Sequence, residues 1–78
     1  MSKKIVAGEI VASQTAKLPS SDKEYGFITV QTPEKNNVKL KVDMATNYET
    51  IERGQRVVVE YDQLGGTDIL SAKKITKE

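Results

Sequence analysis

Seventy-eight residues at 8.6 kDa, 37% hydrophobic and 29% charged, specify one small domain with an economical core. The absence of cysteine and histidine excludes disulfides, thiolate chemistry, and both the commonest general base and the commonest transition-metal ligand. Twelve basic residues against eleven acidic leave a net charge of +1, so bulk electrostatics argues for neither nucleic acid nor membrane.

The first predicted element is a strand over Lys3–Ser13, rich in Ile and Val, with Gly8 in its middle at a position that suggests a bulge or a barrel corner. Residues Thr15–Glu24 carry Pro19, Ser20, Ser21 and Asp22 and read as a mobile loop. Tyr25–Thr32 is β-branched and aromatic, a second strand closed by Pro33. Glu34–Asn37 reads as an asparagine-type hairpin turn. Val38–Met44 alternates strictly, with Val38, Leu40, Val42 and Met44 on one face and Lys39, Lys41 and Asp43 on the other. Ala45–Arg53 lacks strand pattern, and Tyr48 and Ile51 stand three apart there, which predicts a short helix plugging one end of a barrel. Gln55–Asp62 is a fourth strand. Ile69–Ile75 is a fifth, preceded by the turn signal Gly65-Gly66-Thr67-Asp68.

Three strands, a short helical connection and two further strands give an all-β chain. Its order is that of a small five-stranded antiparallel barrel of the oligonucleotide/oligosaccharide-binding (OB) type, spanning residues 1–78 as one domain. An SH3-like barrel of similar strand count is the alternative. No apolar run approaches the ~18 residues of a membrane span and no signal-peptide core follows Met1, so a soluble, cytoplasmic protein is expected.

Parity along the second strand sends Gly26, Ile28 and Val30 inward and places Tyr25 and Phe27 together on the outer face, roughly 7 Å apart. If the second and third strands pair, Lys39 and Lys41 join them. Aromatic rings beside cations meet the physical requirement for single-stranded nucleic acid, because bases stack on the rings and lysines neutralise phosphate. The competing explanation is that Tyr and Phe simply fit a pleated surface, with Phe27 covered by the loop before it. Lys17, Lys23 and Lys35 border this face from loops, where ordinary solubility accounts for them. Glu9 and Glu60 face outward on the first and fourth strands and would repel phosphate there. Arg53 and Arg56 are expected to pair with Glu52 or Glu60, Tyr61 is placed in the core, and Lys73, Lys74 and Lys77 make a solvated basic end.

No catalytic constellation is found. Asp43, Asp62 and Asp68 lack metal-loop spacing, no phosphate-cradling glycine loop occurs, and Ser20 and Ser21 have no histidine to activate them. The chain is therefore expected to be no enzyme and to carry no metal or cofactor.

Gly8-Glu9-Ile10, Tyr25-Gly26-Phe27-Ile28 and Gly54-Gln55-Arg56-Val57, in that order along most of the chain, resemble the cold-shock domain family. These are OB-fold proteins that bind single-stranded RNA and DNA. The resemblance implies that Tyr25 and Phe27 occupy the two aromatic positions of the RNP1 motif, which the family uses for base stacking. The chain departs from the family in three places. Val11, Ala12 and Ser13 stand where the family has a lysine and two aromatics. Val38–Val42 supplies lysines where its RNP2 motif has aromatics and a histidine, and the Ser13–Glu24 connection is longer. With two stacking positions retained, the resemblance implies weak, sequence-tolerant binding of single-stranded RNA or DNA through Tyr25 and Phe27, to which Lys39 and Lys41, placed beside them by strand pairing, are expected to add phosphate contacts. A second reading, of a different class, is a protein-interaction or oligomerisation barrel using the same face or a strand edge.

Overall fold

The alternating apolar residues of the chain become the inner face of a closed barrel in the computed structural model, which describes residues 4–17, 19, 24–63, 66 and 69–78. The strands are β1 (Lys4–Lys17), β2 (Glu24–Gln31), β3 (Asn37–Val42), the two-residue bridge β4 (Asn47–Tyr48), β5 (Arg56–Gln63) and β6 (Leu70–Lys77). Five long strands pair in the order β3-β2-β1-β5-β6, and a parallel contact of β3 with β6 at Lys41 and Ser71 closes the ring. The first strand thus joins both the second and the fourth long strand, and the third joins the last. That is OB order, not the sequential order of a simple meander, and it sets the SH3-like alternative aside.

The long β1 serves two partners in succession. Lys4–Glu9 pairs with β5, and Glu9–Lys17 pairs with β2, with a register shift between Ile10 and Ala12 where the strand turns the corner. Gly8 sits just before this corner because a side chain has no room there: a Cβ would overlap the Gln31 carbonyl oxygen and press on Val30. The inward residues Ile10, Ile28, Val30, Leu40, Val42, Ile51, Val57, Val59, Ala72 and Ile75 form the core, with Val6, Val38, Tyr48, Tyr61 and Leu70 packed against its margin. Burying such aliphatic side chains contributes about 1.5–3 kcal/mol each, and this is the main force offsetting the chain entropy of so small a domain.

The short helix expected over Ala45–Arg53 is absent; among the described residues no helix occurs. Local side-chain chemistry explains it. The Thr46 N–H donates to the Asp43 carbonyl at 3.0 Å and the Asp43 N–H donates to the Thr46 hydroxyl oxygen at 3.1 Å. The Asp43 carboxylate accepts the Ala45 N–H at 2.9 Å. These Asp and Thr bonds offer the backbone an alternative to helix, as such residues commonly do. The buried Thr46 hydroxyl then donates to the Ala72 carbonyl at 2.6 Å, pinning the turn to β6. Tyr48 and Ile51 still reach the core, but from extended backbone, with β4 paired to β6 at Asn47–Lys74 and Tyr48–Ile75.

The same turn ends the third strand early. β3 stops at Val42, so Met44 is exposed and does not continue the apolar stripe of Val38, Leu40 and Val42. The β2–β3 turn closes through Thr32, whose carbonyl accepts the Lys35 N–H at 2.8 Å and whose N–H donates to the Asn36 carbonyl at 2.9 Å. Its positive-φ residue is Lys35, at 66°, and not an asparagine. Thr15–Lys17, assigned to a loop from sequence, belong to β1 opposite Glu24–Gly26, helped by the Thr15 hydroxyl donating to the Glu24 carboxylate at 2.7 Å. The rest of that loop, apart from Pro19, lies outside the described residues, as do Lys3, Lys23 and the 65–68 turn apart from Gly66. Arg56 pairs with Glu78 at 3.6 Å.

Candidate nucleic-acid interface

Strand pairing builds the outer face of β2 and β3 residue by residue. Gly26 faces Val42, Phe27 faces Lys41, Ile28 faces Leu40 and Thr29 faces Lys39. Inward positions take Ile28 and Leu40, so Phe27, Lys41, Thr29 and Lys39 share the opposite surface. Tyr25 is 45% and Phe27 37% exposed, Lys39 is exposed and Lys41 half-buried. The chain has four aromatic residues. Tyr48 and Tyr61 pack against the core, while the other two lie on this one exposed surface.

Gly26, between the two aromatics, is required by the hairpin. It has a φ of 144°, in the region L side chains avoid, and a Cβ there would overlap the Gln14 carbonyl oxygen. The close approach of β1 to β2 at this point holds Tyr25 and Phe27 on either side of the glycine. The start of β2 is tied down further by the Glu24 N–H donating to the Tyr48 phenol oxygen at 3.0 Å. The platform is thus anchored both by the hairpin and by the segment that replaces the helix.

Lys39 does more than neighbour the aromatics. Its Nζ lies 4.7 Å from the centroid of the Phe27 ring, a cation–π contact that covers one side of the ring. At an exposed site such a contact is worth about 0.5–1 kcal/mol, below the ~1–3 kcal/mol of a stacked base. On these magnitudes the ammonium does not bar the ring face to a stacking group. Two carboxylates at the ends of these strands are held by hydrogen bonds: Glu24 accepts from the Thr15 hydroxyl and Asp43 from the Ala45 N–H. Glu60 lies on β5 opposite Lys74, and Glu9 on β1 stands opposite Gln31, at the other end of β2 from Tyr25 and Phe27.

The face continues past β3. A depression of about 260 Å³ is lined by Phe27, Lys39, Ile69 and Leu70, so residues at the start of β6 join the surface across the parallel β3–β6 seam. Sequence reading placed Ile69 at the start of a strand but gave it no part in the site, because the pairing that brings it there is non-local. The signal was available once OB order was assumed, since that order puts the last strand beside the third. A second depression, about 230 Å³, lies by the β2–β3 turn between Gly8, Glu9, Gln31, Thr32, Pro33, Lys35 and Arg56. It mixes a carboxylate with two cations and contains no aromatic ring, so it offers nothing for a base to stack on.

Among the described residues no cluster of acidic side chains is placed to hold a metal ion, and no helix is long and apolar enough to cross a membrane. No protein-family model matches the sequence, and no curated protein or solved structure matches it. What the chain does has therefore to be argued from the geometry of its own surface.

Proposed function

We propose that the protein is a non-enzymatic binding module for single-stranded nucleic acid, weak and tolerant of sequence, working through Tyr25, Phe27, Lys39 and Lys41. The observation that carries the reading is the exposure of both non-core aromatics on the outer surface of β2, where Phe27 is in strand register with Lys41 and Thr29 with Lys39. Bases stack on Tyr25 and Phe27; Lys39 and Lys41 neutralise the phosphates between them. The likeness of Tyr25-Gly26-Phe27-Ile28 to the cold-shock RNP1 pattern supports the same assignment, and the OB order of the strands is compatible with it. Two stacks at ~1–3 kcal/mol each, with a few screened phosphate contacts, correspond to weak binding.

The test is Phe27→Ala, followed by fluorescence anisotropy with a labelled single-stranded oligonucleotide. Because Phe27 lies outside the core, the variant is expected to stay folded and to lose about 1–3 kcal/mol of binding. Loss of folding would make Phe27 a core residue, and unchanged binding would remove it from the site.

A further inference from the structure

We propose that Ile69 and Leu70 form the far wall of a slot that takes one nucleobase against Phe27. This inference rests on the nucleic-acid reading above and makes the site one of three strands, β2, β3 and β6, not two.

The geometry comes from the barrel seam. Phe27 faces Lys41, and Lys41 faces Ser71, so the three lie at one level across adjacent strands. Leu70 and Ile69 stand one and two residues from that level, with Ile69 41% exposed. Phe27 and the β6 residues are separated by two strand spacings, about 9.5 Å. β3 runs between them as the floor of the gap, which has the Phe27 ring on one side and Ile69 and Leu70 on the other. The depression of about 260 Å³ lined by Phe27, Lys39, Ile69 and Leu70 is this gap.

The lining chooses the occupant. Of the described residues that line it, Phe27, Ile69 and Leu70 are apolar and the charged one is Lys39, whose ammonium is a donor with no acceptor capacity. A nucleotide carries an apolar π-face and an anion on the same unit and satisfies both. An apolar peptide side chain would fill the slot but leave the ammonium without a counter-charge. A base held between Phe27 and Ile69 is shielded on both faces, so Ile69 contributes to affinity without touching phosphate.

The experiment uses the full chain labelled at isoleucine methyls and backbone amides, titrated with single-stranded hexauridylate at low salt. The Ile69 methyl is expected to shift upfield, under the ring current of a stacked base, with the same midpoint as the Tyr25–Thr29 amides. Nuclear Overhauser contacts are expected from the uracil ring protons to that methyl. Ile69→Ser is expected to bind about tenfold more weakly. Should that variant not fold, the methyl shift and the contacts in the unaltered protein decide the matter. Amide shifts at Tyr25–Thr29 with an unmoved Ile69 methyl would overturn the slot and leave the two-strand reading standing. Silence at both would overturn both. If N-acetyl-phenylalanine amide moved the Ile69 methyl more than uridine monophosphate at equal concentration, the slot would belong to a peptide side chain and the proposal would be wrong.

Discussion

Lys39 and Thr46 show how single side chains connect the fold to its surface. Lys39 holds one side of the Phe27 ring at 4.7 Å, a contact weaker than a stacked base. On the proposed reading, Lys39→Gln removes a phosphate contact and a competitor for the ring at once. Affinity at low salt is then expected to fall, and the slope of log affinity against log salt to shrink by about 0.7, the value of one phosphate contact on a single strand. Titrations at several salt concentrations measure both; an unchanged slope would take Lys39 off the phosphate. Thr46 acts on stability instead. Its buried hydroxyl serves the Ala72 carbonyl and the Asp43 N–H, so Thr46→Val is expected to cost about 1–3 kcal/mol in urea unfolding by leaving both without that partner. A neutral effect would show that the turn after β3 does not depend on it.

Elements meet most tightly where β1 crosses β2. Gly26 separates the two exposed aromatics and lets the strands approach until a Cβ would collide with the Gln14 carbonyl. The structure thus gives a physical reason for a glycine between two aromatics on this strand. Gly26→Ala is expected to destabilise the protein by about 3 kcal/mol or more, since backbone must move. In the fraction that remains folded, oligonucleotide binding is expected to weaken too, because Tyr25 and Phe27 lose their alignment. Thermal unfolding together with anisotropy checks this; a stable variant with normal binding would contradict it. At this scale the sequence was most and least informative. Strict alternation at Val38–Val42 and the parity of Tyr25–Val30 were enough to assign inward and outward faces, because a two-residue period leaves only two choices. The segment after β3 was misread because spacing of Tyr48 and Ile51 fits a helix face as well as it fits a turn followed by a two-residue bridge. The local Asp43, Ala45 and Thr46 bonds that displace the helix are joined by two, from Thr46 to Ala72 and from Glu24 to Tyr48, that reach across the barrel.

At the scale of the whole molecule, the strand order follows from counting strands and connections, while the closing contact does not. Lys41 and Ser71 are far apart in the chain, and their parallel pairing leaves no local trace in either segment. For the same reason Tyr25, Phe27, Lys39 and Lys41 could be grouped from one hairpin, whereas Ile69 and Leu70 could not. The near-balance of charge, +1 overall, also acquires a meaning only in the fold. Lysines stand beside the aromatic surface, while Glu9 and Glu60 lie on β1 and β5. Long-range attraction of a polyanion is therefore weak, and the proposed binding rests on contacts at that one surface.

The most direct measurement is a titration of the ¹⁵N-labelled protein with mixed short single-stranded RNA and DNA at low and moderate salt, following the backbone amides. The account predicts shifts concentrated at Tyr25–Thr29 and Lys39–Lys41 that weaken as salt rises. No shifts at low salt, or shifts confined to β1 and β5, would contradict it and leave an OB barrel whose partner is something other than a single strand.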